Sequence, residues 1–270
     1  MTKVSKHVGE AVMTDRVDSA DSRAAVIERE KDFHNLRFGA EHDPREYLDR
    51  WYRAVRHGSK WQDDLVIQKS AGKDVLEYGC ADGSQALDHL KLPEVCASLN
   101  GIDISDKAIE KARDRAAQLC YRNTEFHVMN AEAMTFPDGM FDVVFGRGIL
   151  HHLDLGKSFS EISRVLKSDG VAIFSEPLGH NPLINMYRNR TPGMRTPDEH
   201  PLLMADFKHA EEYFSRVELK PYGLFAAASA IVDRHATGAA YRVGKALDQF
   251  VLRGPVGRFA WHSVVILHKM

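Results

Sequence analysis

Acidic residues and glycines cluster in residues 75–83, which read VLEYGCADG. Glycines between a strand and a helix let the backbone approach a ligand closely, although two glycines four residues apart also suit a tight turn without a ligand. A nicotinamide dinucleotide loop needs the pattern Gly-x-Gly-x-x-Gly, and Ala81 and Ser84 replace its second and third glycines. The carboxylate of Glu77 would repel a pyrophosphate and attract a cation.

Two polar residues follow the next two apolar segments of the chain. Asp103 ends residues 95–103, and a carboxylate there can accept both hydroxyls of a ribose, or can instead cap a helix that begins near Ser105. Asn130 follows residues 125–129, where its amide can read an adenine edge, although asparagine is also common in turns. Each position alone is compatible with a purely structural role.

Candidate general bases follow two later apolar segments. His151 and His152 come after residues 141–145, and Glu176 and His180 come after residues 170–175. Imidazole and carboxylate groups are the side chains that most often accept protons in catalysis. The alternative is that the histidines pack or bond to backbone and that the turn next to Pro177 is structural. The three cysteines do not form a metal-type pair, so we expect no metal site and reduced thiols.

These groups lie at the ends of apolar segments that alternate with helical patterns. Such alternation predicts right-handed crossover units and an open, doubly wound parallel sheet. Ligands bind such sheets beyond the carboxyl ends of the strands, which is where all of the candidate residues fall. We predict strands at residues 74–78, 95–103, 125–129, 141–145, 170–175, 217–222 and 261–267, and the last two as an antiparallel pair.

Helical patterns surround this sheet. We predict three helices in an N-terminal cap or lid, residues 1–69: one from residue 21, one from Pro44 and one around residues 61–67. The sheet domain then spans residues 70–270, with helical cap insertions at about residues 179–214 and 223–258. Within the sheet domain, residues 84–90 and a segment that begins after Ser105 are predicted to be helical.

The composition of the chain narrows the possible partners. The formal net charge of the 270 residues is −2, which gives no general attraction to nucleic acid. No apolar segment reaches the roughly 20 residues that span a bilayer, and the polar N-terminus does not resemble a signal peptide. We therefore expect a cytoplasmic protein that binds a small molecule, not nucleic acid, and that has no membrane span. A homodimer is left open.

Six motifs of the chain resemble those of class I methyltransferases that depend on S-adenosyl-L-methionine (SAM). The resemblance is nearest to the branch with the ubiquinone/menaquinone-biosynthesis enzymes, and it covers about residues 70–178. The motifs are VLEYGCADG at 75–83, GIDI at 101–104, NAE at 130–132, FPDGMFDVV at 136–144, LHHL at 150–153 and RVLK at 164–167. Their combination implies a Rossmann-like sheet of seven strands and SAM as the cofactor.

The resemblance also assigns cofactor-binding residues. It places Glu77, Gly79, Cys80 and Gly83 around the methionine part of SAM, Asp103 at the ribose, Ile104, Asn130 and Ala131 at the adenine, and Arg147 near the methionine end. The chain departs from the family at two positions, because the family usually has glycine at position 81 and aspartate at position 130. We expect Ala81 to require a negative φ, and Asn130 to bond an adenine amine through its carbonyl oxygen.

The expected function is methyl transfer to a small, apolar or aromatic metabolite, with O- or C-methylation favoured over N-methylation. The base would come from His151, His152, Glu176 and His180, and residues 33–37 would belong to a lid over SAM. Aromatic residues that can wall the acceptor pocket are Phe33, Phe38, Trp51, Tyr52, Tyr187, Phe207, Phe225 and Tyr241. The alternative is a SAM-binding protein without transferase activity that acts as a regulatory or partner subunit. A nicotinamide-dependent oxidoreductase does not fit, because of Ala81 and Ser84.

Overall fold

The computed structural model describes residues 20–39, 49–190, 199–233, 235 and 237–270. Seven strands form one sheet in the order β3-β2-β1-β4-β5-β7-β6. Their bounds are β1 Asp74–Tyr78, β2 Ser98–Asp103, β3 Thr124–Val128, β4 Phe141–Arg147, β5 Leu166–Pro177, β6 Phe214–Tyr222 and β7 His262–Lys269.

The strands β1 to β5 are parallel to one another, and β7 runs antiparallel to both β5 and β6. This arrangement confirms the predicted fold class, including the antiparallel last pair. The strand order reverses between β1 and β4, so the carboxyl ends of these two strands flank the crevice where such sheets bind ligands.

Helices cover both faces of the sheet. They are α1 Ala20–Gly39, α2 Asp49–Ser70, α3 Asp106–Gln118, α4 Leu155–Val165, α5 Pro182–Arg190, α6 Met204–Ala210, α7 Phe225–Ser229 and α8 Ala239–Val251. As predicted, α3 begins after Ser105, whose Oγ accepts a hydrogen bond of 3.1 Å from Ala108 N. The central strands are apolar runs with buried residues on both sheet faces, such as Leu76 and Val75 of β1.

Several predicted helices have different bounds in the structure. The predicted second and third helices are one helix, α2, which runs through Gly58 without a break. A Cβ at position 58 would overlap the ring of Tyr222, so the packing of that ring requires glycine there. The predicted helix at residues 84–90 is a single π-helical turn, Gln85–His89. The predicted helical segment at about residues 223–258 contains the helices α7 and α8.

The division into a cap of residues 1–69 and a domain of residues 70–270 stays a prediction, as do the two cap insertions. Residues 1–19, 40–48, 191–198, 234 and 236 of these segments lie outside the described residues. Among the helices that the structure does describe, none combines the length and the apolar character that a bilayer crossing requires.

Candidate active site

A first cavity, of about 140 Å³, lies at the carboxyl ends of β2 and β3. Asp103 stands on its wall, with its carboxylate held by hydrogen bonds of 2.9 Å from Ala81 N and 2.9 Å from Ser105 N. Burial raises the pKa of Asp103, although these amides and that of Ile104 favour its charged form. The carboxylate is therefore held in place before any ligand arrives.

The loop after β3 forms the opposite wall of this first cavity. Asn130 Oδ1 accepts a hydrogen bond of 2.9 Å from Glu132 N, and Tyr78 Oη donates one of 2.6 Å to Ala131 O. Ile104, Asn130 and Ala131 all line the cavity. The structure thus brings together Asp103 and the residues that the resemblance assigns to the adenine.

The loop after β1 has three residues with positive φ. Gly79 and Gly83 have φ of 75° and 73°, and Ala81 has φ of 50°. The expectation of a negative φ at Ala81 is therefore wrong, and this alanine occupies the left-handed region that glycine adopts without strain. Gly79 is required for a second reason, because a Cβ there would lie 2.9 Å from Ile149 Cγ1.

A second cavity, of about 450 Å³, lies against this loop and is lined by Glu77, Gly79 and Cys80, among others. Gly83 does not line it, and its N–H instead closes the turn with a hydrogen bond of 2.9 Å to Cys80 O. Glu77 Oε2 is buried without a hydrogen-bond partner among the described residues. Burial, with a further contribution from Asp82, raises the pKa of Glu77 well above its usual value.

Arg147, the last residue of β4, lines the first and second cavities and also a third. Its side chain is held by α2, because Nε donates to Gln62 Oε1 at 3.0 Å and Nη2 donates to Asp63 Oδ1 at 2.6 Å. Neither Gln62 nor Asp63 was predicted as a site residue. Their role is visible only when α2 is packed against the end of β4.

The third cavity, of about 700 Å³, opens beside Arg147 and Gly148. Its floor contains the hydroxyls of Ser175 and Tyr222, 2.7 Å apart, and the ring of His262, stacked on Tyr222 at 5.7 Å. Other lining residues are Phe33, Val55, Arg56, His151, His152, Pro177, Arg188 and Glu199. The cavity is large enough for a small molecule and mixes apolar with polar surface.

His151 is held by Glu176 at the edge of this third cavity. His151 Nδ1 lies 2.8 Å from Glu176 Oε2, while Glu176 Oε1 accepts hydrogen bonds from Ile149 N at 3.0 Å and Leu150 N at 3.1 Å. Burial lowers the pKa of His151, although Glu176 opposes that shift. A neutral ring that donates through Nδ1 keeps a lone pair on Nε2, as a general base requires.

His152 lies between two carboxylates. Its Nδ1 is 3.3 Å from Glu30 Oε2 of α1, and its Nε2 is 4.0 Å from Glu199 Oε1. Burial favours the neutral ring, but these carboxylates outweigh it and raise the pKa of His152. His151, His152 and Glu199 each offer one atom within 4.8 Å of the others, so they form the group best suited to a metal among the described residues. The expectation of no metal stays a prediction.

The remaining predicted residues lie elsewhere. His180 does not line these cavities, and its Nε2 accepts a hydrogen bond of 2.9 Å from Met204 N at the start of α6. Of the predicted aromatic walls, Phe33 lines the third cavity, whereas Phe207 belongs to the core. The side chains of Phe38, Trp51 and Tyr52 lie outside the described residues. His262 was missed, because only the β5–β7 register places it opposite Pro177.

A family model described as "Methyltransferase domain" matches residues 69–222, which is more than half of the chain. The chain belongs to this methyltransferase family. The match confirms the family predicted from the motifs and, with it, SAM as the cofactor. Arg147 and the loops after β1, β2 and β3 all fall within the matched residues.

Individual relatives match a smaller part of this chain than the family model does. The chain is 30% identical over 125 residues to the uncharacterized methyltransferase YcgJ of Bacillus subtilis, covering 46% of this chain and 48% of that protein. It is 35% identical over 123 residues to the demethylmenaquinone methyltransferase of Chlorobaculum parvum, covering 42% of this chain and 48% of that protein. The chain thus spans about half the length of these relatives.

A solved structure extends the likeness of fold over most of the chain. The geranyl diphosphate C-methyltransferase of Streptomyces coelicolor, in complex with Mg²⁺, geranyl diphosphate and S-adenosyl-L-homocysteine, matches with a TM-score of 0.59 and 12% identity. The match covers 90% of this chain and 97% of that one. At this identity the likeness shows the fold alone.

Proposed function

We propose that this methyltransferase transfers a methyl group from SAM to a small molecule bound in the third cavity. One observation carries the proposal: Arg147, at the carboxyl end of β4, lines both cofactor cavities and the third cavity, and Gly148 lines the first and third cavities. A cofactor and an acceptor that bind on either side of this point would have adjacent reacting ends, which is the main requirement of a displacement reaction.

The residues around the first two cavities suit SAM chemically. Asp103 would accept the ribose hydroxyls, and the loop of Asn130 and Ala131 would face the adenine. Glu77 Oε2, which is buried and has no hydrogen-bond partner in the part of the chain that the structure describes, would receive the ammonium group. Arg147 is the nearby cation for the carboxylate of SAM. When bound, SAM supplies an electrophilic methyl group on a sulfonium.

We infer that His151 is the base for the acceptor and that Glu176 positions it. The hydrogen bond from Nδ1 to Glu176 fixes the tautomer, so Nε2 can take a proton from a hydroxyl or an acidic carbon. This favours O- or C-methylation. Phe33, Val55, Pro177 and Tyr222 supply apolar surface in the third cavity, which suits an aromatic or apolar body with an ionisable oxygen, such as a phenol or an enol.

Helix α1 would serve as the lid over SAM. Its Arg23 pairs with Glu132 of the loop after β3, and its Asn35 Oδ1 accepts a hydrogen bond of 2.6 Å from Ser105 Oγ. Arg23, Glu30 and His34 also line the first cavity. Deletion of residues 1–40 should therefore weaken SAM binding in calorimetry, and an unchanged affinity would contradict the lid.

Turnover of methyl-labelled SAM with a panel of phenols, enols, prenylated compounds and amines tests the proposed activity. We expect label to appear in an acceptor with an ionisable oxygen and the product to be lost in His151→Gln. His268→Gln is a matched control, because His268 pairs with Val171 at the opposite end of the sheet. The variant His180→Gln tests separately whether His180 acts as the base.

The alternative, a SAM-binding subunit without transferase activity, would show binding of SAM and no labelled product with any acceptor. Normal turnover in His151→Gln would instead mean that the protein is an enzyme and that His151 is not its base. SAM affinity is measured on the same samples, so a loss of methyl transfer is distinguished from a loss of cofactor binding.

A further inference from the structure

Helix α8 presents apolar side chains to solvent, whereas its acidic side chain, that of Asp248, is buried against the protein. Gly244 and Asp248 are buried on its inner side, whereas Phe250 is 74% exposed and Val243 59% exposed. Leu247 and Val251 are exposed as well, and the spacing of the four residues puts them on one side of the helix. We call Val243, Leu247, Phe250 and Val251 the outer stripe.

The orientation of α8 is fixed by its inner face. The Asp248 carboxylate accepts hydrogen bonds from Gly223 N at 3.0 Å, Phe225 N at 2.8 Å and Ala226 N at 3.3 Å. A Cβ at Gly244 would lie 2.7 Å from Phe225 O, so only glycine allows this close packing on α7. Rotation of α8 to bury the outer stripe would expose Asp248 and leave three amides unsatisfied.

The charges next to the outer stripe are positive. Residues 239–260 contain the exposed Arg242, Arg253 and Arg258 and the half-buried Lys245, and their single acidic residue is the buried Asp248. The Arg253 guanidinium lies 5.8 Å from the centroid of the Phe250 ring. This local surface is therefore basic, although the whole chain has a formal net charge of −2.

We propose that α8 docks on an anionic lipid surface, with the outer stripe in the interface and the flanking cations on the headgroups. An exposed apolar stripe bordered by Lys and Arg is the pattern of helices that lie in the plane of a membrane interface. Charge complementarity selects this occupant over a second copy of the chain. A symmetric pairing of two outer stripes would bring the same arginines close to each other. The proposal does not depend on the acceptor or on methyl transfer.

Co-sedimentation of the full chain with vesicles tests the proposal. We expect binding to vesicles of phosphatidylcholine mixed with phosphatidylglycerol, weaker binding to phosphatidylcholine alone, and a decrease with added salt. The double variant L247S/F250S should lower the partition coefficient at least about tenfold, because it removes the two largest apolar side chains of the stripe. L119S is the matched control, since Leu119 is an exposed leucine at the end of α3.

A second variant separates charge from apolar contact. R242E/R253E should abolish the preference for phosphatidylglycerol while the thermal unfolding midpoint stays near that of the wild type. Equal binding of all variants, or no binding of the wild-type chain to either vesicle, would overturn the proposal. A dimer in analytical ultracentrifugation that L247S/F250S dissociates would overturn it too, since the stripe would then be an interface between copies.

Discussion

The substitution Glu176→Gln separates two roles of Glu176, the positioning of His151 and the contribution to folding. Glutamine keeps an oxygen that can accept from Ile149 N and Leu150 N, but it places an amide N–H donor 2.8 Å from His151 Nδ1, where Oε2 now accepts. The His151 proton must then move to Nε2, and this nitrogen loses the lone pair that a general base needs. One charge-assisted hydrogen bond becomes a neutral one, at a cost of about 1–2 kcal/mol in the free energy of unfolding.

We expect kcat of Glu176→Gln to fall by roughly 10²–10⁴, the usual contribution of a general base, with SAM affinity unchanged. The wild-type kcat should rise with pH through the pKa of His151, which burial holds below its ordinary value. The variant should lose this dependence. Glu218→Gln is a matched control, because Glu218 forms a similar couple with His268 at 2.9 Å, away from the cavities. A kcat of Glu176→Gln equal to that of the wild type, or a loss of SAM affinity without a loss of kcat, would refute the reasoning.

Three further outcomes are expected. Burial lowers the pKa of His262 to about 3. Between this value and the ordinary histidine pKa of about 6.5 only the unfolded state takes up the proton, so wild-type stability falls as the pH decreases through this window. The free energy of unfolding, measured in urea, should fall by about 1.4 kcal/mol less per pH unit in His262→Phe than in the wild type. An equal pH dependence of the two proteins would contradict this prediction. Ala81→Gly should raise stability by up to about 1 kcal/mol, since it relieves the positive φ; a lower melting temperature would count against strain there. Treatment with EDTA should leave turnover unchanged if His151 is a base, and a loss that a divalent cation restores would assign His151, His152 and Glu199 to a metal.

The strands and the cofactor loops could be predicted because their signals are local. Each central strand is a short apolar run, and each loop that would face SAM follows such a run directly, as Asp103 and Asn130 do. The positive φ of Ala81 could not be predicted from its type, because the hydrogen bond of its N–H to Asp103 is a contact between two strands' ends. At Ala81 this tertiary contact outweighs the local preference of alanine for a negative φ.

The third cavity could be predicted only in part. His151 follows β4 and Glu176 lies near the end of β5, and because these strands are neighbours in the sheet the topology places the two residues close together. Tyr222 and His262 reach the floor through the pairing of β6 and β7, whose register the sequence does not encode in any short pattern. Asp63 meets Arg147 only because α2 is one continuous helix, and the packing of Tyr222 on Gly58 is invisible in the sequence.

Calorimetric titration of the full chain with SAM, S-adenosyl-L-homocysteine and NAD tests the central claim most directly. SAM and S-adenosyl-L-homocysteine should both bind, with NAD giving no heat of binding, and Asp103→Ala should weaken SAM because the ribose acceptor is lost. Binding of NAD without binding of SAM would contradict the account.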